Sequence, residues 1–373
     1  MKNKALVLIV VFFLILVTVP VISMIRSDQP LSEAERRPLM QWMSISQYKQ
    51  IHHGADSSDY LSYLETYLLD QFPFRDTFRS INAIGRIRAL RQKDYNRFYQ
   101  LNGHLAKLDP LLHQQVVERA LALFNQVSAE IFNGRGQQVF ALIPDKNVFL
   151  AGPGNYPHYS YERMFDLIAS RLSGDIQLLP LLEDLSLEAY YRTDPHWDQT
   201  KINLVASRIL EALGHDGSGA ESYQTSIGLE DYLGTYAGQA GIPVKPDRLS
   251  RLTSPTLEAL ILHDPITGEQ TGVYQKDRLE GIDPYDFFMG GAKPLLVLDN
   301  PTQDNGLQLV VFRDSFGSSL IPLLSAGYSQ VIVIDLRYIS MQAVSGLVDL
   351  DPGADVLHLY STSVLNSPGA FMN

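Results

Sequence analysis

Three side chains of this 373-residue sequence could share one reaction. Asp194 and His196 lie two apart in YYRTDPHWDQTK, residues 190 to 201, with Pro195 between them and Trp197 after. Ser315 lies far downstream in GLQLVVFRDS, residues 306 to 315. A serine hydroxyl is a weak nucleophile until a base takes its proton, and the base needs a third group to orient it. His196 is the right type for the base and Asp194 for the orienter. A residue before proline is biased to extended dihedrals, and residues two apart in an extended segment point the same way. Asp194 and His196 can therefore project into one pocket, although they could not share a helix face. The spacing leaves open whether they touch.

The same residues carry plainer readings. An Asp-Pro pair before a helix cap is a turn, and His196 beside Trp197 fits a half-buried structural histidine. Asp314 competes with Ser315 as the cap of the following helix. A metal reading takes Asp194, His196 and Asp198 as ligands, but the remaining histidines show no zinc spacing.

The elements around these residues read as alternating strands and helices. QQVFALIP, residues 137 to 144, is an apolar strand. A helix covers about 161 to 172, and IQLLPLL is a second apolar run weakened by Pro180. Ile202, Val205, Ala206, Ile209, Leu210 and Leu213 recur at helical spacing behind Asp198 as cap, and Gly214 stops them. Downstream, GLQLVVFRDS, QVIVIDLR and DVLHLYST are strands, with FGSSLIPLLSAG and ISMQAVSGLVDL as helices between. That order implies parallel pairing with right-handed crossovers. It places Ser315 where a strand ends and a helix begins, the position at which open α/β sheets bind ligands. Free N–H groups at such a helix start can stabilise an oxyanion. Upstream, residues 111 to 132 form a long helix ended by Gly134 and Gly136, and 58 to 92 are helical with a break at Pro73. Residues 215 to 305 read as an irregular insertion rich in Gly and Pro, with some strand such as LEALILHD.

Composition narrows the class. Hydrophobic residues make up 45% and aromatics 10%, enough for a full core. The net charge of −11 without a basic run argues against nucleic acid as a partner. The chain has no cysteine, which removes disulfides and thiol chemistry. Lys2 and Lys4 precede an uncharged stretch, residues 5 to 25, about 30 Å long as a helix. An uncleaved membrane anchor with the body outside the cytoplasm is expected; a signal segment cleaved near Val21-Ile22-Ser23 is the alternative. The expected division is an anchor at 1–28, a stalk and helical extension at 29–110, and an α/β domain at 111–373 holding the insertion.

TDPHWDQT, followed far downstream by VVFRDSFGSSLIPLLSAGYSQVIVIDLRYIS, resembles the DHHW family of exported bacterial proteins. That family is related to the alginate O-acetyltransferase group, of AlgX and AlgJ type, in the SGNH-hydrolase-like superfamily. ERRPLM at 35 to 40, DQFPFRD at 70 to 76 and IPDKN at 143 to 147 extend the likeness over most of residues 32 to 365. The resemblance implies a flavodoxin-like three-layer α/β/α sandwich with a parallel sheet. It implies a triad of Ser315, His196 and Asp194, no cofactor, and O-acetyl transfer or ester hydrolysis on a cell-surface polysaccharide. An integral membrane partner would then deliver the acyl group. Relatives place an arginine near the pocket, for which Arg337 is the candidate; its alternative is a surface arginine paired with Asp335 or Asp314. Trp197 and Arg313 complete the expected substrate contacts. The chain departs from the family by carrying Pro195 in Asp-Pro-His-Trp, and Arg313 where related serine motifs have glycine. A non-catalytic glycan binder or scaffold is the competing function.

Overall fold

The computed structural model describes residues 2–131, 136–215 and 222–371. The expected helix stop Gly134 lies outside them. The chain divides into two units, residues 1–96 with 237–243, and residues 97–236 with 244–373.

The second unit is built on an eight-stranded sheet. Its strands are β1 (Gln138–Ile143), β2 (Gln177–Pro180), β3 (Ile261–Asp264), β4 (Glu269–Thr271), β5 (Leu295–Asp299), β6 (Gln308–Arg313), β7 (Gln330–Ile334) and β8 (Asp355–Ser361). Their order is β4-β3-β5-β7-β6-β8-β1-β2. Strands β7, β6, β8, β1 and β2 run parallel. Strand β2 survives Pro180 because it lies at the sheet edge, where the missing N–H costs no ladder bond. Strand β5 pairs antiparallel with β7 and β3, and β4 pairs antiparallel with β3. The sheet is thus mixed, which corrects the expectation of a parallel one. All three added strands come from the stretch expected to be an irregular insertion. β3 falls in LEALILHD, where a strand was expected, while β4 and β5 have five residues or fewer, too short for a periodic pattern to stand out among flanking glycines and prolines.

The main helices are α1 (Gln114–Ile131), α2 (Tyr161–Arg171), α3 (Asn203–Ala212), α4 (Gly317–Leu324) and α5 (Met341–Ser345). Side chains alternate between the faces of a strand, and two cores result. Val139, Ala141, Leu309 and Val311 meet Val205, Ile209, Leu320 and Ile321 of α3 and α4. Phe140, Leu142, Val310 and Phe312 meet Leu121 and Phe124 of α1, Met164 and Ile168 of α2, and Val344 of α5. The arrangement is three layers, α/β/α. Burial on both faces explains why β1 and β6 read as unbroken apolar runs.

In the first unit, two of the family-like segments bind each other. Arg37 of ERRPLM makes a paired contact with Asp70 of DQFPFRD at 2.9 and 2.6 Å. Glu35 receives Arg75 at 2.6 Å and Arg79 at 3.0 Å. Pro73 separates the helices Ser57–Asp70 and Arg75–Ile84, as its ring requires. Lys2–Ile25 is helical. Among the described residues no helix is long and apolar enough to cross a membrane, so the span expected over 5–25 is not borne out.

Candidate active site

Strand β6 ends at Arg313, and the chain turns through Asp314 and Ser315 into α4. Asp314, fully buried, shapes that turn. Its Oδ1 accepts the Phe316 N–H at 3.0 Å, and its Oδ2 accepts the N–H and hydroxyl of Ser361 at the end of β8, both at 2.7 Å. Asp314, not Ser315, accepts the amide of this turn, which frees the Ser315 hydroxyl. Gly317 must be small, because a Cβ there would stand 3.0 Å from the Arg313 Cβ and 3.1 Å from Ile321 Cδ1.

Asp194 and His196 sit on a loop closed at its base by a bridge between Tyr190 and Trp197 and by the Tyr191 N–H to His196 O bond, 3.1 Å. The Asp198 side chain caps the next turn, Gln199–Lys201, accepting the Thr200 N–H at 3.0 Å, and α3 follows. Gly214 ends that region at φ 83°. The structure brings the three expected residues together. His196 Nδ1 lies 2.6 Å from Asp194 Oδ1, and His196 Nε2 lies 2.7 Å from Ser315 Oγ. Asp194 Oδ1 also accepts the His196 main-chain N–H at 3.1 Å, and Oδ2 accepts the Thr235 N–H at 2.8 Å. A carboxylate held by three N–H donors stays fixed under the imidazole. It favours the tautomer with Nδ1 protonated and Nε2 free to take a proton from Ser315.

Residues of the expected insertion complete this site. A Cβ at Gly234 would sit 2.2 Å from the Asp194 Cβ, so only glycine lets this backbone approach. The Gly234 N–H donates to Thr193 Oγ1 at 2.9 Å. Asp247 accepts the N–H groups of Arg192 and Thr193 at 3.0 and 2.8 Å. The Tyr285 ring covers His196, and its hydroxyl bonds Ser319 at 2.9 Å. Sequence reading missed these residues. The glycine-rich run GTYAGQAG, residues 234 to 241, is the one signal of them that the sequence carries.

Two expected substrate contacts are corrected. Trp197 is fully buried, and its Nε1 donates to Phe316 O at 3.1 Å and Ser319 Oγ at 3.0 Å. It clamps the loop to α4 and presents no face to a sugar. Arg313 is also fully buried; its guanidinium donates to Ser318 Oγ at 3.1 Å and Gly291 O at 3.0 Å. Burial lowers its pKa, opposed by Asp335 and Asp314. Arg337 is held by Asp335 through bonds of 2.8 and 2.6 Å. Burial lowers its pKa, but the hydrogen bond and charge of Asp335 outweigh that and raise it. The ion-pair alternative is the one the structure displays. Among the described residues no group of three or more His, Asp or Glu side chains could hold a metal ion.

An α/β protein with a serine–histidine–aspartate relay at the carboxyl edge of its sheet is the class these features define. No protein-family profile matches the chain, and no curated protein matches it. Solved structures do. A DHHW family protein from Eubacterium siraeum gives a TM-score of 0.58 at 18% identity, covering 74% of this chain and 94% of that one. PatB1 of Bacillus cereus gives 0.58 at 19% identity, covering 73% and 98%. PatB1 with a sulfonyl adduct gives 0.56 at 18%, covering 73% and 97%. At these identities the likeness is one of fold, and the chain has the fold of a DHHW family protein.

Proposed function

We propose that the protein transfers or removes O-acetyl groups on a cell-surface polysaccharide through an acyl-Ser315 intermediate. The observation that carries this reading is the continuous path from Ser315 Oγ through His196 to Asp194, at 2.7 and 2.6 Å. In the first half-reaction Ser315 Oγ attacks the acyl carbonyl while His196 Nε2 takes the hydroxyl proton. His196 then gives that proton to the departing alcohol, leaving an ester on Ser315. In the second half-reaction the acceptor, a sugar hydroxyl or water, loses its proton to His196 and attacks the ester. Ser315 leaves as the alkoxide and recovers the proton. Asp194 stays ionised throughout and steadies the imidazolium. The amides of residues 316 to 318 are engaged by Asp314 and by Ser315 O, so the Ser315 N–H is the proposed first oxyanion donor.

The choice of O-acetyl chemistry follows the resemblance to the DHHW and alginate O-acetyltransferase groups. The uncharged stretch behind Lys2 and Lys4, taken as a signal segment, supports placing the body outside the cytoplasm, where a polysaccharide acceptor and a membrane-borne acyl donor would be met.

The test uses p-nitrophenyl acetate as acyl donor, with oligosaccharide acceptors added, and intact-mass readout of the protein. A +acetyl adduct or turnover in the wild type, absent in Ser315→Ala and His196→Ala, is the expected result. A sulfonyl fluoride reagent, chosen because PatB1 has been solved with a sulfonyl adduct, labels Ser315 in parallel. Equal background in all three proteins overturns the acyl-serine reading and shifts weight to glycan binding, which would survive Ser315→Ala.

A further inference from the structure

The segment IPDKN follows β1 and supplies no atom to the relay. Its lysine nevertheless lies at the centre of the loop that carries the relay. Lys146 is only 2% exposed. Its Nζ donates to the carbonyls of Asp194 at 2.7 Å, Tyr191 at 2.9 Å and Arg192 at 3.4 Å. All three belong to the loop closed by the Tyr190–Trp197 bridge. An ammonium has three donors, one for each carbonyl. A buried lysine is costly to desolvate, but an apolar side chain in the same space would leave the three carbonyls without this donor. A single ammonium meets all of them. It also sets the loop's shape, because carbonyls one to three residues apart turn inward together only around a shared donor.

We propose that Lys146 is a positioning residue for the relay, its ammonium gathering the three carbonyls so that Asp194 and His196 point together at Ser315. The proposal rests on the acyl-Ser315 reading. Groups from every packed element face Nζ. They are Asp145 beside it in the chain, Asp194 on the loop, Asp247 at the start of the strand Asp247–Thr253, His104, and the Tyr236 ring at 5.1 Å. Burial pushes the ammonium down to about 7, opposed by the charges of Asp194, Asp247 and Asp145. The charge is therefore present in acid and lost as pH rises through neutrality. A neutral amine has two donors for three carbonyls, so reactivity of Ser315 falls on the alkaline side.

The experiment follows labelling of Ser315 by phenylmethanesulfonyl fluoride on the full chain, by intact mass, from about pH 6 to pH 9. Wild type, Lys146→Met and Lys146→Arg are compared, with melting curves for each and Ser315→Ala as blank. The wild type is expected to lose reactivity on the alkaline side. Lys146→Met is expected to label about 100-fold more slowly and to lack that decline. Lys146→Arg, whose charge does not titrate in this range, is expected to recover part of the rate, also without the decline. A folded Lys146→Met that labels at the wild-type rate with the wild-type profile overturns the proposal. If that variant does not fold, Lys146→Arg decides, and an alkaline decline unchanged from wild type overturns it. A wild type with no alkaline decline overturns it as well. Absence of any labelling of wild-type Ser315 is the separate outcome that fells the acyl-serine reading, and this inference with it.

Discussion

The Tyr285 ring lies flat on the His196 imidazole, with centroids 4.0 Å apart and planes 5° from parallel. Stacking fixes the ring plane that Asp194 and Ser315 require, and an aromatic face favours the imidazolium that forms as Ser315 attacks. Tyr285→Phe keeps the stack and loses only the bond to Ser319, so acyl transfer should stay within a few-fold of wild type. Tyr285→Leu removes the face, a loss of about 1–2 kcal/mol, or roughly tenfold in kcat. Steady-state kinetics with p-nitrophenyl acetate check this, with KM expected to move less than kcat.

Asp194→Asn tests the orienter. An amide there can present its NH2 to His196 Nδ1 and stabilise the wrong tautomer, while the hydrogen bond from Thr235 needs an oxygen at the other position. The rate of Ser315 acylation should fall by about 10³-fold or more, with a melting temperature close to wild type. A variant with near-normal rate would show that His196 acts without Asp194.

Gly234→Ala places a methyl 2.2 Å from the Asp194 Cβ. Either Asp194 or the backbone at 234 and 235 must move, and Asp194 Oδ2 loses its Thr235 donor. The expected result is a loss of roughly 100-fold in acylation rate. Gly54, which has open space around a Cβ but a φ of 87°, serves as a control. Gly54→Ala should cost some stability and no acylation rate.

Stability in acid should depend on His358. Both ring nitrogens are buried without a hydrogen-bond partner among the described residues, between Phe124 and Phe312 with centroids 5.1 Å away in each case. Burial lowers its pKa to about 3. Below its ordinary value near 6.5 the unfolded chain binds a proton that the folded chain refuses. Stability is therefore lost as pH falls from about 6.5 towards about 3, by on the order of a few kcal/mol. His358→Phe should flatten that dependence. Melting temperatures at about pH 5 and pH 8 measure it, and the variant should gain more at the lower pH.

Much of the frame was legible because it is local. β1, β6, β7 and β8 announced themselves as apolar runs, and α1, α2 and α3 by helical spacing. Asp198, expected to cap α3, instead caps the turn Gln199–Lys201 just before it. ISMQAVSGLVDL was legible as a helix, but only Met341–Ser345 forms one turn, since Gly346 follows at once. What escaped was most of what is drawn from 215 to 305. LEALILHD was legible as strand and holds β3, but β4 and β5 are short, and Gly234, Asp247 and Tyr285 belong to segments without a strong period. Their placement depends on what they pack against.

The sequence by itself determined side-chain direction within segments. Asp-Pro-His made Asp194 and His196 able to point one way, and the strand-turn-helix pattern put Ser315 at the carboxyl edge of the sheet. Backbone sterics and hydrophobic periodicity act over a few residues, so their pattern can be read directly. Only the tertiary structure decided that Ser315 meets a histidine 119 residues away. It also put Lys146 inside the loop, laid Tyr285 on the imidazole, and buried Trp197 and Arg313, which sequence alone had placed at the substrate. Those outcomes follow from core packing and from satisfying every buried donor and acceptor at once, and no stretch of sequence holds enough of the partners to reveal them.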